Sequence, residues 1–168
     1  MIKKIVYIMR NALQLEFNSL SQIRQRLGVS TMANKITIIG AGQVGSTIAF
    51  ALTLKRLASE IVLIDIAKDR AMGEAMDIRQ GTPFIGSVYV HDGDYSDAKG
   101  SDIVILSSGV ARKPGQSRLD LAQTNVNITK SIIPEITKSA PDAIYVIVAN
   151  PVDILTYQFA KTSGISAN

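Results

Sequence analysis

Apolar positions along the chain alternate between two periods. Short β-branched runs at 36–39, 61–66, 103–106 and 143–148, and a weaker one at 87–90, read as five strands. Between them, stretches with helical spacing predict helices over 43–57, 69–80, 119–138 and 152–161, with Pro134 expected to kink the third. A polar loop containing Pro114-Gly115 separates the fourth strand from the long helix. Near-continuous Val/Ile strands need burial on both faces. Together with the strand–helix alternation, they predict an α/β fold, a doubly wound parallel sheet covered by helices.

Residues 1–32 break this rhythm. Leu13, Phe17, Leu20 and Leu27 fall on one helical face before Gly28 interrupts it, and Met32-Ala33-Asn34-Lys35 then leads into the first long strand. We read 1–32 as a basic N-terminal extension, with Met32 as the natural start, and 33–168 as one domain. The extension is acid-poor, as organelle transit peptides are, but a spurious or loosely docked extension is the favoured reading, and residues 1–31 are expected to be dispensable for the fold.

Charge removes one class of function. The 168 residues carry a net charge of +4, and the extension accounts for all of it: Lys3, Lys4, Arg10, Arg24 and Arg26 oppose Glu16 alone. The remainder balances thirteen basic against thirteen acidic residues, so no broad footprint for a nucleic-acid backbone is expected. No apolar run approaches the ~20 residues of a membrane span, and Ile5–Met9 falls short of a signal-peptide core of about 7–15. The chain has no cysteine, which excludes disulfides, thiolate nucleophiles and Cys-based metal sites and is compatible with the expected cytoplasmic location.

The chemistry begins at Gly40-Ala41-Gly42-Gln43-Val44-Gly45, a G-x-G-x-x-G run. Alone it is a weak signal. Here it follows a strand and opens a helix, and Asp65 ends the next strand twenty residues after Gly45, the pattern of a Rossmann-type dinucleotide fingerprint. Gly40 allows the tight turn, Gly42 lets backbone approach a pyrophosphate, and Gly45 lets the helix lie close to the sheet. The phosphates then meet free N–H groups at the positive end of the helix dipole. Asp65 would accept hydrogen bonds from the adenosine ribose and repel a 2′-phosphate. Because Ile66 rather than Arg follows it, NAD is expected over NADP.

Gly40–Gly45, Asp65, Gly73-Glu74-Ala75-Met76-Asp77, the loop Arg112-Lys113-Pro114-Gly115-Gln116-Ser117-Arg118, and Asn150-Pro151-Val152-Asp153 together resemble the lactate/malate dehydrogenase family over about 34–168. The resemblance implies cofactor contacts at Gly40, Gly42, Val44, Gly45, Asp65, Arg70, Tyr95, Gly109, Val110, Ser131, Val148 and Asn150. It makes Arg118 the mobile-loop arginine that closes over the substrate and polarises its carbonyl, Asn150 the group that orients the substrate, and Arg112 the reader of the substrate side chain. The implied substrate is a small 2-keto or 2-hydroxy acid, the implied cofactor is NAD without a metal, and the full-length protein is expected to be a homo-oligomer. Independently, Arg112, Lys113 and Arg118 surround a turn at the carboxyl edge of the sheet, where ligands of open α/β folds bind. A cationic loop there suits an anionic substrate.

The family's general acid/base His, the Asp that orients it and the Arg that clamps the substrate carboxylate have no counterpart here. The one histidine, His91, lies in His91-Asp92-Gly93-Asp94 on another segment and is expected at the surface. The sheet is expected to lack its last strand and the protein its second, substrate domain, so the chain reads as part of a protein of about 310 residues, the size the resemblance implies, and as inactive alone. A stand-alone NAD-binding regulatory module would not need the Arg112/Arg118 loop or Asn150-Pro151. An NAD-dependent glycosidase of related fold would use a metal site built with Cys and His, and ranks last.

Overall fold

The computed structural model describes residues 7–8, 33–112 and 114–165. Its core strands are β2 (Ala33–Ile39), β3 (Ala58–Ile64), β4 (Tyr89–Asp92), β5 (Ile103–Leu106) and β6 (Ile144–Ile147). They alternate with helices α1 (Gln43–Leu54), α2 (Lys68–Ile85), α3 (Arg118–Ser139) and α4 (Val152–Thr162), and a 3₁₀ turn at Tyr95–Ala98 follows β4. A two-residue strand, β1 (Tyr7–Ile8), completes the set. All pairings are parallel, in the order β1-β6-β5-β2-β3-β4. The α/β parallel sheet expected from the sequence is therefore present.

Alternating sides of the strands feed two cores. Ile36, Ile38, Ile61, Leu63 and Val90 pack against Ala49 and Leu52 of α1 and Ala71, Ala75 and Ile78 of α2. Ile39, Val62, Ile64, Val104 and Leu106 pack on the other face against Ile132, Ile133 and Ile136 of α3 and Leu155 and Phe159 of α4. Burial on both faces is why the strands read as unbroken apolar runs.

Several boundaries differ from the sequence expectation; β2 and β3, for example, each begin three residues early, at Ala33 and Ala58. Helix α1 stops at Leu54, three residues early, because Arg56 turns to φ 52° and the Leu57 N–H donates to the Leu52 carbonyl. Helix α2 runs to Ile85, through the Gly81-Thr82-Pro83 stretch that reads as a breaker. Strand β4 begins two residues late, at Tyr89, and takes in His91.

Among the described residues, β6 is the last strand in the chain. The edge beside β6 is paired with Tyr7–Ile8, in register with Val146 and Ile147. This differs from the expectation of a sheet that begins near Lys35. An open parallel edge presents unpaired N–H and C=O groups, and the β-prone pair Tyr7–Ile8 answers them. The helical face read at Leu13–Leu27 lies outside the described residues.

The chain runs from β2 outward to β4, then returns to β5 on the other side of β2. The connections after β2 and β5 therefore diverge, leaving a crevice at the carboxyl ends of these neighbouring strands.

Candidate functional site: a dinucleotide crevice and an exposed loop

The glycine turn occupies this crevice, and each glycine has a distinct physical reason. Gly40 has φ 101°, and a Cβ there would come within 2.7 Å of the Ser108 backbone nitrogen across the crevice. Both facts demand glycine. A Cβ on Gly45 would lie 1.8 Å from the Gly40 carbonyl oxygen, so α1 can approach the strand end only without a side chain at that position. Gly42 meets nothing within 4 Å. Its space is open to a ligand, which separates it from the two structural glycines.

Ser107, which follows β5, ties the two sides of the crevice together. Its hydroxyl donates to the carbonyls of Gly40 (2.9 Å) and Ile39 (3.1 Å). Sequence reasoning did not single it out, because a serine after a strand carries no local signature.

Helix α1 starts at this turn with no side-chain cap and no acidic residue in its first turn. Its leading N–H groups and the positive end of its dipole face the opening above Gly42, the arrangement that receives a pyrophosphate. Val44, half-exposed, sits beside them.

Asp65 follows β3. Its Oδ2 accepts from the Ala41 N–H at 2.7 Å and its Oδ1 from the Ala67 N–H at 2.9 Å. The carboxylate is thus fixed against the glycine turn, with lone pairs remaining for further donors. Ile66 beside it is fully exposed. Tyr95, half-buried on the 3₁₀ turn, has its hydroxyl pKa raised, first by burial and then by the charges of Glu135 and Asp65. The open space, free N–H groups and fixed acid together fit a dinucleotide.

The remaining residues expected to meet cofactor or substrate present a different picture. Val110 and Asn150 converge: the Val110 N–H donates to Asn125 Oδ1 at 2.9 Å, and Asn125 Nδ2 donates to the Asn150 carbonyl at 2.7 Å. Val148 is anchored by its N–H to the Leu106 carbonyl, and the Asn150–Pro151 peptide is cis. Arg112 is exposed, and its Nε donates to the Gln116 carbonyl of its own loop at 2.8 Å. Arg118 is exposed at the first position of α3, just after the Ser117 cap, rather than within the loop. Arg70 is exposed in the first turn of α2. Ser131 lies mid-way along α3, its hydroxyl donating to the Ile128 carbonyl of the same helix.

His91 corrects an expectation. Its side chain is only 18% exposed: Nε2 lies 3.1 Å from Glu60 Oε1, and the ring stacks on Tyr89 at 4.6 Å. It is a half-buried cross-strand partner on the edge strand β4 rather than a free surface side chain. Glu60 also receives Lys35 Nζ at 2.8 Å. Burial alone would raise the Glu60 pKa, but the hydrogen bonds and charges of Lys35 and His91 together outweigh it and hold the carboxyl below its ordinary value.

The arrangement matches known proteins over the same residues. Residues 34–168 match the lactate/malate dehydrogenase NAD binding domain. The chain belongs to this family. An L-lactate dehydrogenase of Clostridium perfringens (strain SM101 / Type A) is 58% identical over 131 residues, covering 78% of this chain and 41% of the relative. Among solved structures, the minor L-lactate dehydrogenase of Enterococcus mundtii superposes with a TM-score of 0.77 at 42% identity, over 81% of this chain and 44% of that one. The malate dehydrogenase of Picrophilus torridus gives a TM-score of 0.75 at 39% identity, over 80% and 43%. The chain thus spans about two fifths of the length of such relatives.

As the NAD-binding domain of an oxidoreductase family, the chain has NAD as its cofactor, in agreement with the crevice. Among the described residues, no helix is long and apolar enough to cross a membrane.

Proposed function

We propose that this chain is the NAD-binding portion of an L-2-hydroxyacid dehydrogenase that interconverts a small 2-keto acid and its 2-hydroxy acid, with oxaloacetate and malate preferred. NAD, when bound, accepts or supplies the hydride. Gly40, Gly42 and Gly45 with Val44 form its phosphate cradle, Asp65 takes its ribose hydroxyls and disfavours NADP, and Arg70, Tyr95, Gly109, Val110, Ser131, Val148 and Asn150 complete its surroundings. Arg118 polarises the substrate carbonyl and Asn150 orients it. Replacing Asp65 by Ser and Ile66 by Arg is expected to relax the cofactor preference, read by NADH and NADPH fluorescence titration.

The substrate preference rests on one observation, Arg112 in the loop after β5. In this family the position faces the group beside the reacting carbonyl. Lactate dehydrogenases usually carry Gln there and malate dehydrogenases Arg, whose guanidinium pairs with a second carboxylate. A hydrogen bond to a charged group is worth about 1.5–3 kcal/mol, so roughly tenfold discrimination or more follows. The alternative, pyruvate and lactate, is supported by Leu119, which resembles the lactate enzymes, and by the names of relatives such as the C. perfringens protein. The deciding measurement is kcat/KM for oxaloacetate and for pyruvate in the full-length protein, with and without Arg112→Gln. A parent that prefers pyruvate, or a ratio untouched by the substitution, refutes the role of Arg112.

Ketone reduction also needs a proton donor. Arg118 is effectively always protonated and cannot act as one. His91 is held in the sheet by Glu60 and Tyr89. The 168-residue chain alone is therefore expected to give no enzymatic turnover in an NADH oxidation assay with either keto acid. General acid–base assistance is worth about 10²–10⁴-fold. Exposed Phe50 and Leu54 on α1 and Met72 and Met76 on α2 support a homo-oligomeric full-length protein, for which a cytoplasmic setting is proposed.

A further inference from the structure

We infer that Asn125 is a positioning residue, which locks the root of the substrate loop to the Asn150 turn and so sets the nicotinamide side of the crevice. The inference rests on the NAD-site reading above, in which Val110 and Asn150 belong to that side.

Asn125 lies on the inward stripe of α3 with Ala122, Thr129, Ile132, Ile133 and Ile136, and is 3% exposed. A buried amide costs free energy unless its hydrogen bonds are made. Here they are made across two loops. Oδ1 accepts from the Val110 N–H at 2.9 Å, while Nδ2 donates to the Asn150 carbonyl at 2.7 Å and reaches the Val110 carbonyl at 3.4 Å. The partners fix the orientation of the amide: turned over, it would set oxygen against the Asn150 oxygen and nitrogen against the Val110 N–H.

The chain at Gly109 presses against the same group. A Cβ there would lie 3.3 Å from Oδ1 and 3.4 Å from Cγ, tighter than ordinary contact. Glycine thus allows the loop to sit on the amide.

Only a side chain that accepts and donates from one planar group can join an N–H on one loop to a C=O on the other. An aspartate of the same shape keeps the bond to Val110 but turns its second oxygen on the Asn150 carbonyl. Alanine makes neither bond. From Val110 the loop runs on to Arg112 and Arg118, and from Asn150 the chain passes through a cis peptide into α4. The Asn125 amide therefore couples the placement of both segments without reaching the reacting atoms.

The test compares NADH with AMP as ligands of the full 168-residue chain. AMP reports the adenosine half held by Gly42 and Asp65, whereas NADH also spans the side governed by Asn125. In Asn125→Asp, NADH affinity is expected to fall about tenfold while AMP affinity stays within twofold. Asn125→Ala is expected to fall in the same direction and to lose hydrogen-exchange protection at the Val110 amide. Unchanged NADH affinity and Val110 protection would overturn the inference. So would equal losses for AMP and NADH in both variants, since these describe general damage to the fold. Should Asn125→Asp fail to melt cooperatively, the same two readouts on Asn125→Ala decide. A parent that binds NADH no better than AMP would refute the nicotinamide-side reading itself, and the inference with it. That outcome is visible before any variant is made.

Discussion

The two sides of the crevice are built from different material. On the cofactor side the work is done by backbone: the φ of Gly40, the helix–strand approach at Gly45, the open space at Gly42, and a carboxylate pinned by two backbone N–H groups. On the side proposed to meet substrate the charged groups are exposed side chains. Arg112 bonds into its own loop, and Arg118 stands at the start of α3. The first side is fixed by the packing of α1, β2 and β3. The second, among the described residues, is cationic and open to solvent. A site built from backbone is set by the fold itself, whereas a site of exposed side chains is set by what closes on them.

The sharpest way to break this contrast is Gly45→Ala. One methyl group placed 1.8 Å from a backbone oxygen forces α1 away from the strand. A stability loss of roughly 3 kcal/mol is expected, the upper end for overpacking, together with loss of NADH binding. Chemical denaturation and fluorescence titration check both.

Gly42→Ala separates ligand from fold. Since nothing lies within 4 Å, the melting temperature is expected to stay within about 2 °C, while NADH affinity drops tenfold or more as the methyl occupies the phosphate's approach. A variant that binds normally would remove Gly42 from the site.

A smaller effect concerns the sheet away from the crevice. The folded-state pKa of Glu60 lies below its ordinary value of 4.5, so its stabilisation is fully present above that value and is lost as pH falls through the folded pKa. The melting-temperature difference between parent and Glu60→Gln is expected to be a few degrees at pH 6 and to shrink towards zero in stronger acid. A difference independent of pH would mean that packing, not charge, holds Lys35, Glu60 and His91 together.

The smallest expected effect is Arg112→Gln on stability. An exposed side chain whose bond stays within its own loop should change unfolding free energy by no more than about 0.5 kcal/mol. A larger loss would show that the loop is part of the cofactor-side scaffold and would erase the contrast.

Much of this was legible in the residues because the signals are local. Strand and helix periods follow from which faces are buried, and Gly40, Gly42, Gly45 and Asp65 form a fingerprint because phosphate approach constrains backbone at fixed spacing. Ser107 and Asn125 were not legible. Their partners lie 67 or 68 and up to 25 residues away, and the only trace of Asn125 was a polar residue on an apolar helical stripe. His91 reads as exposed if the third strand ends at Val90. The strand instead runs on to Asp92, which sets His91 in register with Val62 and its ring within reach of Glu60.

By itself, then, the order of amino acids determined the parallel α/β class, the dinucleotide turn, the acid after β3 and the family. Each depends on neighbours in sequence or on a repeat of two or 3.6 residues. Tertiary structure alone decided which glycines are required by contact and which faces open space, that Tyr7–Ile8 pairs with the edge of β6, and that one buried amide joins two loops. Those outcomes depend on distances between segments far apart in the chain, which exist only once the sheet brings them together.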